Sequence, residues 1–107
     1  YKQNPTGNTI GLINTSLEIP SGFSLGQNFP NPFNPVTNIN FAIPSSGIVK
    51  LAVFDMTGKE VAILVNGHYL AGTYKVDCDA SLLASGVYFY KLTAKDFTAT
   101  KKMILIK

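Results

Sequence analysis

Three prolines fall within the nine residues 27–35, and this run constrains the fold more than any other part of the chain. Proline has no backbone N–H, and it disfavours a helical conformation in the residue before it. The run is therefore incompatible with a helix or with an inner strand of a sheet. Its two phenylalanines, Phe29 and Phe33, are expected to fold back as plugs over an open sheet edge. The alternative, that they are exposed anchors for a ligand, stays open.

After residue 38 the sequence alternates apolar residues with polar or small ones over short stretches, as half-buried strands do. Asp55 and Gly58 predict a turn, because the aspartate side chain accepts backbone N–H groups and glycine tolerates a positive φ. Asn66 and Gly67 predict a second turn for the same conformational reason. We expect an all-β fold, an immunoglobulin-like antiparallel β-sandwich of about seven strands. The predicted strands cover residues 39–43, 49–54, 60–65, 73–78, 87–93 and 98–106.

Two residues in these strands have predicted structural roles. Tyr88 follows Leu82 by six residues with Gly86 between them, a spacing that suits a tyrosine corner, in which the hydroxyl bonds to backbone upstream. The alternative is that the Tyr88 ring simply fills the core. The single cysteine, Cys78, excludes an intrachain disulfide. It shares a strand face with Val76, so buried packing is favoured over a nucleophilic role.

The composition is that of one small globular domain. Apolar residues make up 46% of the 107 residues and charged residues 14%, a balance typical of a chain that folds around a core. Residues 1–22 are rich in Asn, Thr, Ser, Gly and Pro, and we interpret them as a linker from a longer protein with one loosely held strand at most. Residues 23–107 form the predicted domain. No run of 18 apolar residues occurs, so no membrane span is expected.

Charge and residue types argue against several classes of function. The net charge of +3 comes from nine lysines without an arginine or a basic block, so nucleic-acid binding is not expected. His68 is the only histidine, and Cys and His lack metal-ligand spacing. Asp77 and Asp79 are interpreted as a solvated strand end and a turn cap rather than a carboxylate pair. We therefore expect no enzyme activity, no cofactor and no metal.

The aromatic residues leave one rival function open. The chain has seven Phe and five Tyr but no Trp, the residue that most often stacks on sugar rings. Phe-rich loops on an immunoglobulin-like fold are nevertheless consistent with an accessory carbohydrate-binding or spacer module of a secreted multidomain hydrolase.

Residues 101–107 form an apolar, strand-like stretch flanked by lysines at the end of the sequence. A domain that ends on such a strand and carries no set of catalytic residues suggests an attachment or address module. Two alternatives stay open for the strand itself. It either closes its own sandwich or pairs with the sheet edge of a partner through backbone hydrogen bonds.

Four blocks of sequence occur in a characteristic order: LGQNFPNPFNPVTNI at residues 25–39, VFDMTGKEV at 53–61, LASGVYFY at 83–90 and KKM at 101–103. Together they resemble the type A C-terminal sorting domain of the type IX secretion system, and the resemblance spans residues 23–107. It departs from the family at Cys78, where many members carry a bulky Trp. This difference concerns local packing rather than the assignment.

The resemblance implies a non-catalytic β-sandwich that directs a secreted cargo from the periplasm through the outer membrane. The implied partners are the outer-membrane type IX translocon, a sortase-like peptidase and the upstream cargo domains of the same chain. In many members the peptidase removes the domain at the linker and joins the cargo to the cell surface. The implied location is the periplasm in transit, then the cell surface or the extracellular space. By position, the sorting signal would comprise Gly86, Tyr88, Lys101, Lys102, Met103, Ile104, Leu105, Ile106 and Lys107.

Overall fold

A computed structural model of the chain describes residues 12–16 and 19–107, and in these ranges the regular structure consists of strands alone. Seven strands have five residues or more, and the eighth has two. In chain order they are β1 (Leu12–Ser16), β2 (Ser24–Leu25), β3 (Val36–Ile43), β4 (Gly47–Phe54), β5 (Glu60–Tyr69), β6 (Gly72–Asp79), β7 (Gly86–Ala94) and β8 (Phe97–Leu105).

The strands form two four-stranded sheets that pack face to face. One sheet has the order β1-β6-β3-β2 and the other the order β5-β4-β7-β8, and the strand pairs are antiparallel. β4–β5 and β7–β8 are hairpins, whereas the chain changes sheet between β3 and β4, β5 and β6, and β6 and β7. This arrangement confirms the predicted immunoglobulin-like β-sandwich.

Period-two alternation explains which side chains meet between the sheets. In β6 every second residue is buried, and β3, β4 and β7 bury most of the residues on one face. Because successive side chains of a strand point to opposite faces, each strand contributes one row to a common core. The largest fully buried side chains are Tyr90, Phe33, Phe41, Ile39, Ile43, Leu51, Leu92, Met103, Leu105, Val49, Val53 and Val76.

The predicted turn between β4 and β5 is confirmed. The Asp55 carboxylate accepts hydrogen bonds from the backbone N–H groups of Thr57 at 2.8 Å and Lys59 at 3.1 Å. Gly58 has a φ of +88°, a conformation that side chains with a Cβ rarely adopt. The Thr57 hydroxyl, which also donates to Asp55, contributes most to lowering the pKa of this carboxyl, and the two N–H groups act in the same direction.

The predicted turn at Asn66 and Gly67 is wrong. β5 continues through both residues to Tyr69, and Gly67 pairs with Val49 of β4. The extra length is stabilised by β4, which offers backbone partners as far as Gly47, and by the half-buried ring of Tyr69 against that of Tyr74. Tertiary pairing therefore overrides the local preference of an Asn-Gly sequence for a turn.

Two predicted structural roles are confirmed. The Tyr88 hydroxyl donates to the Ala84 carbonyl at 2.7 Å, which is the hydrogen bond of a tyrosine corner. Cys78 is a free, buried thiol that packs in the core on the same strand face as Val76. Tyr74 repeats the corner geometry at the previous change of sheet, where its hydroxyl donates to the Leu70 carbonyl at 2.7 Å.

The predicted linker, residues 1–22, lies mostly outside the described residues. Its described part includes β1, which pairs with β6 at one end of its sheet and exposes Ile13. The boundary between residues 22 and 23 stays a prediction. Among the residues described, no helix is long and apolar enough to cross a membrane.

Candidate functional site

The residues that the sequence suggests as a sorting signal lie together on two neighbouring strands. Gly86 pairs with Leu105, and Tyr88 pairs with Met103, so the start of β7 runs alongside the end of β8. β8 is also the outermost strand of its sheet. The predicted residues thus form one continuous structural unit, while their role as a signal stays a prediction.

Residues 101–107 differ in exposure, and two of them, Lys101 and Ile104, are half-buried. Met103 and Leu105 point inward and are fully buried, so they are part of the core. Lys102, Ile106 and Lys107 are exposed and accessible to another molecule. A partner that binds the folded domain can contact the exposed residues, the accessible parts of Lys101 and Ile104, and the backbone of the strand edge, but not Met103 or Leu105.

Gly86 and Tyr88 serve the corner that precedes β7. Gly86 has a φ of +156°, and no other atom lies close to the position of its missing Cβ. Its identity is therefore explained by backbone conformation rather than by a contact. Tyr88 is buried and its hydroxyl is held by the Ala84 carbonyl. Both residues position the strand that pairs with β8.

The proline-rich segment of residues 27–35, which we call the proline clasp, covers the end of β8. The Ile104 N–H donates to the Asn31 side-chain oxygen at 2.9 Å, and the Ile104 carbonyl accepts from the Phe33 N–H at 3.0 Å. The Ile106 N–H donates to the Phe33 carbonyl at 2.9 Å. Asn31 and Phe33 thus satisfy the outward-facing backbone groups of the strand, as a neighbouring strand would.

Tyr90 holds the clasp to the core. Its hydroxyl accepts a hydrogen bond from the Asn28 N–H and donates one to the Gly26 carbonyl, both at 2.7 Å. The Asn28 side chain donates to the Thr37 hydroxyl at 3.0 Å, and Gln27 donates to the Lys102 carbonyl at 2.8 Å. These bonds connect the start of the clasp to β3, β7 and β8 at once.

The two phenylalanines of the proline clasp differ in burial. Phe33 is 2% exposed and forms a parallel bridge with Leu105, so the predicted plug is confirmed there. Phe29 is 78% exposed, and its predicted role as a plug is wrong. The Phe29 backbone bridges Asn38, which fixes the chain direction so that the ring faces solvent. With Phe33 buried, a paired aromatic platform for sugars is absent from the clasp.

The loop before β7 contacts the other side of the tail. The Lys107 N–H donates to the Ser85 hydroxyl at 3.0 Å, and its ammonium donates to the Ser81 carbonyl at 2.5 Å. The predicted cap is present, since Asp79 accepts from the Ser81 N–H at 2.9 Å. Hydrogen bonds from the Ser81 hydroxyl and then its N–H lower the pKa of Asp79.

The remaining candidate residues do not converge. Asp77 accepts a hydrogen bond from the Asn38 amide, and His68 is exposed on β5 opposite Ile48, not in a loop. Within the described part of the chain, no group of three or more His, Cys, Asp or Glu side chains could hold a metal ion.

Several residues that hold the tail were missed by sequence reasoning. Gln27, Asn31 and Ser85 contact it through side chains from distant parts of the sequence. These residues belong to the sequence blocks 25–39 and 83–90, and they cluster near proline and glycine. Both signals mark the segments, but neither predicts what the irregular backbone there touches.

Two buried groups predict a loss of stability at alkaline pH. Burial raises the pKa of Cys78 from 9.0 to about 11, with a smaller contribution from the Asp79 charge. Burial also raises the pKa of Tyr90 from 10.0 to about 12, although the Asn28 N–H acts in the opposite direction. Above pH 9 the unfolded thiol loses its proton while the folded one keeps it. As the pH rises between its pKa in the unfolded chain and its pKa in the folded chain, each group therefore lowers the free energy of unfolding by about 1.4 kcal/mol per pH unit.

Urea unfolding between pH 8 and 12 measures this loss. In Cys78→Ala the decrease between pH 9 and 11 is expected to be shallower, because the thiol contribution is gone. Equal slopes for the two proteins over that interval would contradict a protonated, buried thiol.

Comparison with known protein families identifies a model that matches most of the chain. A family model described as "Secretion system C-terminal sorting domain" matches residues 27–107, which include the proline clasp, β7 and β8. No curated protein and no solved structure matches significantly.

Proposed function

Because the chain belongs to the family of type IX secretion system C-terminal sorting domains, we propose that it directs an upstream cargo from the periplasm across the outer membrane. Membership implies export to the cell surface or the extracellular space. In this proposal the domain has no catalytic role and presents an address that the outer-membrane translocon reads. The observation that carries it is the family match over residues 27–107.

The end of β8 supports this proposal physically. Lys102, Ile106 and Lys107 are exposed, and the strand lies at the edge of its sheet. A receptor can therefore contact this tail while Met103 and Leu105 remain in the core. We propose that the exposed members of the tail are read directly, and that Gly86 and Tyr88 act by positioning the strand beside them.

We also propose removal of the domain after export. A sortase-like peptidase would cut in the linker before residue 23 and join the cargo to the cell surface. The composition of residues 1–22, rich in Asn, Thr, Ser, Gly and Pro, is typical of a linker and supports this proposal. Retention of the domain as a carbohydrate-binding module is not favoured, because Phe33 is buried.

Export of the full parent protein from its own bacterium tests the function. Deletion of residues 101–107 is a poor test, since it removes the buried Met103 and Leu105 and would unfold the domain. Deletion of residues 106–107 combined with Lys102→Glu alters exposed side chains and keeps Met103 and Leu105 in the core. It also removes the hydrogen bonds of the Ile106 N–H to Phe33 and of Lys107 to Ser81 and Ser85, so the folded state of the variant is checked by its melting temperature. We expect the secreted fraction to fall at least about tenfold, equivalent to about 1.4 kcal/mol of recognition, with the parent retained in the periplasm.

The matched control is Lys75→Glu, the same charge change on β6 in the opposite sheet. It should be exported normally. Both variants should keep the melting temperature of the unaltered chain within a few degrees, which separates recognition from folding. Normal secretion of the altered tail would contradict the proposal. The mass of the secreted parent in the same samples shows whether the domain is cleaved off after export, because removal of the domain leaves the cargo without residues 23–107.

A further inference from the structure

The solvent face of the β5-β4-β7-β8 sheet carries an apolar hollow of about 320 Å3. We call it the outer-face groove and define it by Phe54, Met56, Phe89, Lys91 and Thr100. Phe54 and Phe89 pair across β4 and β7, and Met56 is 72% exposed. The solvent face of an antiparallel sheet is usually polar. Two phenylalanines and an exposed methionine there contribute nothing to the core between the sheets.

The backbone beside this groove has unused hydrogen-bonding groups. Ile104 turns its N–H and C=O away from β7 toward the proline clasp. By the alternation of an antiparallel ladder, Thr98 and Thr100 face the same way. Among the described residues, neither makes an outward backbone hydrogen bond. The short strand β2 of the other sheet lies near β8, and Phe23 stacks on Phe97, but β2 is not hydrogen-bonded to β8. We call the backbone of residues 98–100, whose outward groups are unused, the open half-edge. Thr100 belongs to both the half-edge and the groove.

The charges near this junction are mainly positive. Lys91 lines the groove and pairs with Thr100, while Lys102 lies opposite Phe89 on the same face. Both lysines are exposed, and neither forms an ion pair with another described residue. The acidic residue at the far end, Asp55, has one oxygen occupied by three hydrogen bonds from Thr57 and Lys59. The side next to β8 is thus complementary to negative charge.

From this juxtaposition we infer that the open half-edge and the outer-face groove form one docking surface for an extended, acidic segment of a partner protein. The segment adds as a strand beside residues 98–100. Residues directly opposite each other in such a pair point to the same face of the sheet. The partner residue opposite Thr100 therefore lies over the groove and is bulky and apolar. An acidic residue two positions away faces Lys102, with Lys91 within reach of the same charge.

This inference rests on the proposed function, since the partner is the protein that receives the domain during export. It differs from recognition of the exposed residues in the tail, because it places the binding site on residues 98–100 and on the solvent face of β4 and β7. The proline clasp already occupies the neighbouring part of the edge at Ile104, so the added strand ends near Lys102.

A blocked peptide of sequence Thr-Glu-Thr-Phe-Thr-Thr is the probe, titrated into the 15N-labelled chain and followed by NMR. In an antiparallel pair with its Phe opposite Thr100, its glutamate lies opposite Lys102. We expect amide shifts at Thr98, Thr100 and Lys102 together with shifts at Met56 and Phe89. A peptide with lysine in place of glutamate should bind at least about tenfold more weakly. Absence of shifts at about 10 mM peptide, or shifts confined to other residues, overturns the inference.

Thr100→Pro removes an outward N–H without touching the ladder to β7, which an edge strand tolerates. It should abolish binding, whereas Thr100→Val, which keeps the N–H, should bind normally. Met56→Ser should weaken binding about tenfold, because it removes an apolar contact in the groove. Equal binding by all of these variants overturns the inference.

Other occupants would give different results. Binding of the peptide only after removal of residues 1–11 would assign the groove to the chain itself. A concentration-dependent dimer lost in Thr100→Pro would assign the edge to a second copy. Either result overturns the inference that a segment of a partner protein binds at this surface.

The parent protein separates this inference from the proposed function. Export lost in both Thr100→Pro and the altered tail, but kept in Thr100→Val, supports both. Normal export of Thr100→Pro with the altered tail retained overturns the docking surface alone. Normal export of both variants overturns the proposed function.

Discussion

Phe33→Ala is expected to lower the free energy of unfolding by about 3–5 kcal/mol, the usual cost of truncating a buried phenylalanine. The ring is 2% exposed and lies in the core, where it joins the proline clasp to Leu105. Removing it leaves a cavity and also loosens the clasp that satisfies the Ile104 backbone. Equilibrium unfolding in urea measures the loss.

Phe29→Ala is the matched control, with the same change of residue four positions earlier in the same proline-rich segment. Its ring is 78% exposed, so the free energy of unfolding should change by no more than about 0.5 kcal/mol. Similar losses for the two variants would contradict the structural difference between them. A large loss only in Phe29→Ala would mean that the Phe29 ring is the buried one and the Phe33 ring the exposed one.

Sequence reasoning could not separate these two phenylalanines. Each is followed by an Asn or Pro and lies in a run without alternation, so no period assigns a face to either ring. Their directions are fixed by distant partners, Asn38 for Phe29 and Leu105 for Phe33. The face of a residue in irregular backbone is therefore a tertiary property, whereas that of a strand residue is a local one.

Where local chemistry decides the structure, prediction succeeds. Asp55 and Gly58 make the turn their side chains favour, and Tyr88 forms the corner its spacing suggested. Asn66 and Gly67 show the limit of such predictions, because a turn at these residues stabilises the fold less than continued pairing with β4 does. Sequence reveals such a preference but not the strand that competes with it.

The candidate site was predicted in part for the same reason. The apolar run of residues 103–106 identified a strand, and the structure buries Met103 and Leu105 but leaves Ile106 exposed. The covering of its edge was not predicted, because Asn31 and Gln27 are more than 70 positions away from the residues they bind. Hydrogen bonds over such separations leave no periodic trace in the sequence.

The structure joins the two features that stand out in the sequence. The proline clasp and residues 101–107 contact each other, so the beginning and the end of the family match form one unit. Proline lacks a donor, and its presence in the clasp limits further strand pairing on that side. The clasp thus protects the end of β8 while it leaves residues 98–100 uncovered.

Tyr90→Phe should release this clasp. The Tyr90 ring is fully buried, and its hydroxyl bonds both the Asn28 N–H and the Gly26 carbonyl. Removing one oxygen atom leaves the buried Asn28 donor unsatisfied, which costs more than the loss of an ordinary hydrogen bond. We expect the free energy of unfolding to fall by about 2–3 kcal/mol.

Tyr88→Phe is the comparison, because its hydroxyl makes one bond, to the Ala84 carbonyl. That variant should lose only about 1 kcal/mol. Amide hydrogen exchange distinguishes the mechanisms, since Tyr90→Phe should speed exchange at Asn28, Phe33 and Ile104, whose N–H groups the clasp engages. Unchanged exchange at Phe33 and Ile104 would mean that the clasp is held by the buried Phe33 ring alone. The two anchors would then act independently, and their double variant would lose the sum of the single effects.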